Sequence, residues 1–209
     1  MRSLIVGLAV LISATRVGAE PEVTFWSWFE SNSERIASFE SNREAIFDQI
    51  AHQLSTIHAD LTFEIGPSID GRRDFVVSAG GIKSAFPAVE SLVASAPKLS
   101  EWNVIAFRPR HDPILPVKYG GVQIDPKDVR YWLGRHDEEL AVVVFLPKFS
   151  GHDEVTMKTI GYLFLDQSLG EYDVEMELGP IDVRAIEDVD PSQVKPFDQL
   201  AIDFDQMRK

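Results

Sequence analysis

The chain has 209 residues, no cysteine, and 33 Asp and Glu against 20 Lys and Arg, for a formal net charge of −13. Without cysteine there are no disulfides, thiolate metal sites or cysteine nucleophiles, and so acidic a surface repels a phosphate backbone, which argues against nucleic acid as a partner. The length fits one domain on a prior of roughly 100–200 residues per domain, enough to build a core without metal or disulfide staples.

The first segment in chain order reads as an export signal. Met1-Arg2 is a basic start, Leu4 to Ile12 is an apolar run interrupted by Gly7, and Val17-Gly18-Ala19 supplies small residues at a cleavage spacing. These features predict a signal peptide over 1–19, cleaved after Ala19, with a periplasmic or secreted product. The apolar run falls short of the about 20 residues that a spanning helix needs. No second stretch is long enough, so no stable membrane span is expected after cleavage. Losing Arg2 and Arg16 with the leader makes the product more acidic still.

Phe25, Trp28, Phe29, Ile36 and Phe39 recur at helical spacing and predict one amphipathic helix. Ser41 with Glu44 has the capping-box pattern, and Ile46, Ile50, Leu54 and Ile57 then form an apolar stripe of a second helix. Leu61, Phe63 and Ile65 alternate with polar residues as in a strand, and Gly66 to Gly71 is turn material. Arg73 to Ser78 completes a hairpin. Gly80-Gly81 leads into a helix that Ser84 could cap and that runs to about Ser95, with Pro87 in its first turn. Asn103 to Phe107 reads as a central strand, Arg108 to Gly121 as a loop and Val122 to Ile124 as a short strand. Val129 to Leu133 and Leu140 to Leu146 read as two further strands. A helix is expected from about Asp153 to Leu169, ended by Gly170, then a strand over Asp173 to Leu178. An acidic, irregular stretch follows from about 180, and Phe197, Leu200, Phe204 and Met207 suggest a last short helix.

Hairpin-like pairs without regular helix–strand alternation favour an α+β class: a mainly antiparallel sheet of about five to seven strands with helices packed on one side. The expected organisation is a signal peptide at 1–19 and a single α+β domain over 20–209, with an acidic C-terminal extension from about 180. No internal repeat is visible in the sequence. The segments Phe25–Asn32 (FWSWFESN), Thr62–Pro67 (TFEIGP), Val76–Val93 (VVSAGGIKSAFPAVESLV) and Trp102–Arg110 (WNVIAFRPR) resemble parts of an uncharacterised bacterial family. That resemblance implies no activity and assigns no functional residue.

Two stretches could hold an anion. In Ser78 to Ser84, a strand passes through two glycines to a helix start carrying Lys83 and Ser84, and free N–H groups at such a start suit a phosphate or carboxylate. It does not match the G-x-x-x-x-G-K-[ST] nucleotide loop, and a tight strand-to-helix turn explains it as well. Arg108-Pro109-Arg110-His111-Asp112 is the stronger candidate, because guanidinium forks bind carboxylates and phosphates through paired hydrogen bonds. Lys118 and Tyr119 could add to it. The plainer alternative is that Arg108 and Arg110 pair with the chain's own surplus carboxylates.

Asp173, Glu175 and Glu177 would line one strand face, but a flat row does not wrap around a cation, so no metal site is expected. The His-Asp pairs 111–112, 136–137 and 152–153 suggest a metallohydrolase only superficially. There is no H-E-x-x-H, and His52 and His58 are six residues apart. No G-x-S-x-G elbow and no cofactor motif occurs. The sequence therefore favours an exported, non-catalytic domain that binds a protein or a small anionic ligand, with no cofactor. The alternative is a hydrolase with scattered His, Asp and Glu residues.

Overall fold

The computed structural model describes residues 20–147 and 154–208. The expected signal peptide and the His152-Asp153 pair lie outside the described residues.

Helix α1 (Pro21–Ser31) opens with proline at its start, where the missing N–H costs nothing, and buries Phe25, Trp26 and Phe29. It ends at Asn32, and α2 (Ser33–Ala37) follows, so the single helix expected to reach Phe39 is two. The Asn32 side chain donates to the Trp28 carbonyl at 2.8 Å and marks the break. Helix α3 (Arg43–Ser55) buries Ile46, Ile50 and Leu54, the stripe seen in the sequence. The expected Ser41–Glu44 capping box does not form. Ser41 sits in a 3₁₀ turn, its hydroxyl donates to the Ser38 carbonyl, and Asn42 takes the cap position.

Strands β1 (Thr62–Ile69) and β2 (Arg72–Ser78) form an antiparallel hairpin that turns at Asp70-Gly71, both at positive φ, as tight hairpin turns require. Gly66-Pro67 lies inside β1, where the register slips between Ile65 and Ser68. Proline is tolerated there because β1 is an edge strand. Helix α4 (Phe86–Ala94) follows a 3₁₀ turn over Lys83–Ala85, so Ser84 is not its cap. Strand β3 (Trp102–Ala106) pairs parallel with β2 and lies at the edge of the sheet, not at its centre as expected.

Strands β4 (Val117–Tyr119) and β5 (Val122–Ile124) make a small hairpin. Strands β6 (Arg130–His136) and β7 (Glu139–Leu146) pair antiparallel. Helix α5 (Glu154–Leu169) and helix α6 (Glu171–Glu177) are joined by Gly170 at φ 81°. Strand β8 (Leu178–Ala185) pairs parallel with β7, β9 (Lys195–Pro196) pairs with β6, and α7 (Leu200–Met207) closes the chain.

The class is α+β, but the expected single sheet of five to seven strands is three smaller ones among the described residues, of three, two and four strands. Two are mixed, because a hairpin is extended each time by a parallel strand. The order hairpin, helix, parallel neighbour occurs in β1-β2-α4-β3 and again in β6-β7-α5-α6-β8. Two other expectations change. Asp173 to Leu178 is mostly helical: Val174 and Leu178, four apart, are both buried, and the Val174 N–H bonds the Gly170 carbonyl. The stretch after Gly179-Pro180 is irregular only from Ile186 to Gln193, where two short 3₁₀ turns bury nothing; before that it is a strand. Ile181, Val183 and Ala185 alternate with Asp182 and Arg184 along β8, and Val183, Phe197, Leu200 and Phe204 belong to the core.

Two buried clusters result. The first is aromatic: Phe29 meets Phe75 at 4.7 Å and Trp102 at 5.2 Å between ring centres. The indole N–H groups of Trp26 and Trp102 are satisfied by the Leu92 carbonyl and the Ser33 hydroxyl, both at 2.8 Å, as buried tryptophans require. The second gathers β6, β7 and β8 with α5 and α7 around Val142, Val144, Ile160, Phe164 and Phe204. Gly161 lets α5 approach β8, since a Cβ there would lie 2.5 Å from a Val183 methyl. Among the described residues no helix is long and apolar enough to cross a membrane.

Candidate functional site

The junction between the two clusters lies where the sequence placed both anion candidates. The glycine turn after β2 does hold a carboxylate, and it is the protein's own. Glu171, fully buried at the start of α6, accepts from the Ala79 and Gly81 N–H groups through Oε1 at 3.0 and 3.1 Å. Its Oε2 accepts from the Arg108 N–H at 3.1 Å, and its own N–H donates to the Arg108 carbonyl at 3.0 Å. Gly80 and Gly81 adopt positive φ, which aims these amides at one point. Beside the clamp, Phe86, Phe107 and Tyr172 pack ring to ring, 4.5 to 5.8 Å between centres.

Arg108 leaves the end of β3 and runs between two carboxylates. Its Nε donates to Glu64 at 2.6 Å and its Nη1 to Asp166 at 3.2 Å. Burial works against the guanidinium charge, but the Glu64 hydrogen bond and the charges of Glu64, Asp166 and Glu171 outweigh it and raise its pKa. Asp166 is the under-compensated partner. Burial pushes it up to about 7 against the pull of Arg108, with Glu171 and Glu175 adding repulsion.

Arg110 is equally occupied. It donates to both oxygens of Asp205, at 2.9 and 3.1 Å, to Asp173 at 2.7 Å and to the Leu169 carbonyl at 2.8 Å. The Asp205 hydrogen bonds raise its pKa against partial burial, and Asp173 adds to the effect. Arg208 joins through Asp173 at 3.0 Å, and both guanidiniums lie over the Phe204 ring. His111 donates its backbone N–H to the Gln167 carbonyl at 2.7 Å, and the Gln167 side chain bonds the Leu115 backbone. The loop is thereby stitched to α5.

Two clefts flank this loop. The smaller, about 270 Å³, is lined by Glu64, Arg108, His111 and Asp166 among others. The larger, about 710 Å³, is lined by Arg110, His111, Asp112 and Ile114 from the loop, Asp125, Lys127 and Arg130 before and in β6, Ser168 from α5, and Phe197, Asp198, Ala201 and Ile202 around α7. In it the Arg130 Nη1 donates to the carbonyls of Lys127 and Val129 at 2.7 and 2.8 Å. Lys127 pairs with Asp125 at 3.3 Å. Ser168 is 3% exposed, and its hydroxyl is the one buried side-chain polar atom without a hydrogen-bond partner among the described residues.

The structure thus gathers Arg108, Arg110 and His111 along one loop between two clefts. Lys83 lies apart, in a groove with Arg135, Glu139, Glu177 and Arg208, and Ser84 is exposed and lines neither flanking cleft. Lys118 lines the smaller cleft. Asp173, Glu175 and Glu177 do not form a strand row, because α6 turns them to different sides and Asp173 is claimed by Arg110 and Arg208. His136 and Asp137 are exposed and 4.0 Å apart. No cluster of three or more His, Asp or Glu suited to a metal ion occurs among the described residues. Sequence reasoning passed over Arg130, Ser168, Asp198 and Glu171. The glycine turn signalled a carboxylate pocket, but nothing local pointed to its occupant.

The site is a carboxylate–arginine junction beside an open, mixed-polarity cleft, on an α+β frame. Comparison with family models, curated proteins and solved structures gives no match, which is consistent with the resemblance to an uncharacterised family.

Proposed function

We propose that this protein is an exported, non-catalytic binding domain that takes a small anionic ligand in the larger cleft beside the Arg110–Ile114 loop. The observation that carries the proposal is Arg130. Acidic residues far outnumber basic ones in this chain, and Arg73, Arg108, Arg110, Arg184 and Arg208 each hold a carboxylate. Arg35, Arg43, Arg72, Arg130 and Arg135 have no carboxylate partner among the described residues, and of these five only Arg130, which binds backbone carbonyls through one nitrogen, lines the larger cleft. A half-buried guanidinium with spare donors, in a cleft within the usual ligand-pocket range of roughly 300–1,000 Å³, suits a carboxylate or phosphate. Export rests on the leader pattern of residues 1–19. The hydrolase alternative draws no support here, since His111 and Asp112 share the cleft without bonding each other.

The test is thermal melting of the full chain against acetate, longer-chain carboxylates, phosphate and sulfate at constant ionic strength. A ligand at 100 times its Kd stabilises by about 2.7 kcal/mol, or roughly 5–11 °C for a chain this long. We expect a saturable rise for at least one anion that disappears in Arg130→Gln. No saturable rise, or one unchanged in Arg130→Gln, overturns the proposal.

A further inference from the structure

Resting on the reading above, we infer that the ligand of the larger cleft is a small zwitterion with an apolar body, an α-amino acid or short peptide with a hydrophobic side chain. Of the charged groups lining the cleft, Arg110 is saturated by Asp173 and Asp205, and Lys127 and Asp125 answer each other. Arg130 remains on the positive side. On the negative side remain Asp112 and Asp198, both exposed and neither in a hydrogen bond or ion pair among the described residues.

A simple anion would satisfy Arg130 but meet two uncompensated carboxylates, and like charges in one cleft repel. A molecule that carries a carboxylate and an ammonium answers both sets. Apart from His111 and Ser168, the rest of the lining is apolar, with Pro113, Ile114, Phe197, Ala201 and Ile202 prominent in it. That wall favours an aliphatic side chain over a bare glycine-like ligand, at about 25 cal/mol per Å² of apolar surface covered. Ser168 is an independent indication. Its hydroxyl, buried beside the cleft without a partner, could bond a carboxylate or carbonyl that reaches the cleft floor. At about 710 Å³ the cleft has room for more than one residue, so free amino acid and short peptide share the chemistry and are separated by experiment.

The experiment is isothermal titration calorimetry of the full chain with leucine, dileucine, 4-methylpentanoate (no ammonium), isoamylamine (no carboxylate) and glycine (no apolar side chain). We expect leucine or dileucine to bind at least tenfold tighter than each of the other three. A preference for leucine identifies a free amino acid, and one for dileucine a peptide. In the double variant Asp112→Asn/Asp198→Asn, 4-methylpentanoate should close the gap to within about threefold while still binding. If 4-methylpentanoate binds the parent as tightly as leucine and dileucine, the zwitterion inference is overturned and the anion proposal stands. If no carboxylate binds, the zwitterion inference falls, and the anion proposal falls with it when phosphate and sulfate also fail to raise the melting temperature. If the preference for an ammonium group survives in the double variant, Asp112 and Asp198 are not its source and the inference is overturned.

Discussion

Truncating Glu171 to alanine removes the acceptor of three backbone N–H groups at once, those of Ala79, Gly81 and Arg108. Hydrogen bonds to a charged group contribute roughly 1.5–3 kcal/mol each, and the lost side chain also leaves a hole in a fully buried position. Water can reach part of the turn, so we take the lower end for each bond and expect a loss of about 4–6 kcal/mol. That is a large share of the roughly 5–15 kcal/mol that holds a typical domain folded, and it corresponds to a Tm decrease on the order of 10–20 °C. Glu171→Gln keeps the shape. Its amide oxygen can still serve Ala79 and Gly81, but its NH₂ then faces the Arg108 N–H donor to donor, for a loss of about 2 kcal/mol. Urea unfolding followed by circular dichroism separates the two variants. Because the alanine variant leaves donors aimed at one point, added acetate or formate should raise its Tm more than that of the parent. If the alanine variant lies within 1 kcal/mol of the parent, or is no worse than the glutamine variant, the clamp is not what joins the two clusters.

Three further outcomes follow from the packing. Asp166 has a pKa of about 7 in the folded chain because of burial, against an ordinary value of 3.8. The folded state therefore holds a proton that the unfolded chain has released. The associated stability is complete below about pH 4 and is lost as pH rises to about 7, on the order of 4 kcal/mol at most. Asp166→Asn should flatten that slope, and an unchanged slope between pH 4 and 8 would refute the assignment. Gly161→Ala would normally gain about 1 kcal/mol inside a helix, but its Cβ would press on Val183, so a net loss of about 1–2 kcal/mol is expected; urea unfolding should show the Gly161→Ala/Val183→Ala pair losing less than the sum of its parts. Tyr131→Phe removes the phenol that donates to Asp203 at 2.6 Å, beside the Lys195–Asp203 ion pair. It should cost about 1–2 kcal/mol and speed hydrogen exchange at the β6–β9 pairing; unchanged exchange there would separate β9 from this bond.

What the sequence disclosed depends on how local the cause is. Ile46, Ile50 and Leu54 repeat every four residues and Val142 to Val144 sit in an apolar run, so α3 and β7 were legible. The β1–β2 hairpin was legible from its alternation, but the turn expected over Gly66 to Gly71 is narrower, at Asp70-Gly71, because β1 continues through Gly66-Pro67 to Ile69. Strand β8 was hidden because Gly179-Pro180 opens it and acidic residues follow it, although its own alternation is regular. Helix α6 was misread because Asp-Val-Glu-Met-Glu-Leu fits both periods, and the burial of Glu171 decided between them. The division into three sheets was beyond reach, since it depends on which distant strands pair. The site divides the same way. Arg108 and Arg110 stand out in an acidic chain, and the glycine turn announced its amides. The carboxylate that fills that turn, however, lies about 90 positions further on, and Arg130 reads in the sequence as an ordinary polar residue of a strand.

That sequence separation bears on how the molecule is assembled. As the chain is made from its N-terminus, the first hairpin, α4 and β3 are complete well before Glu171 exists. Until it arrives, the amides of Ala79, Gly81 and Arg108 have only water to bond, and Phe86 and Phe107 lack the Tyr172 ring that packs against them. A fragment that stops after Arg110 should accordingly be less ordered at that end, with faster amide exchange at Ala79, Gly81 and Arg108 than in the full chain. The start of α6 ties together segments about 90 positions apart, so a cut or insertion near Gly170 would be felt in the first half of the chain as well as in its own.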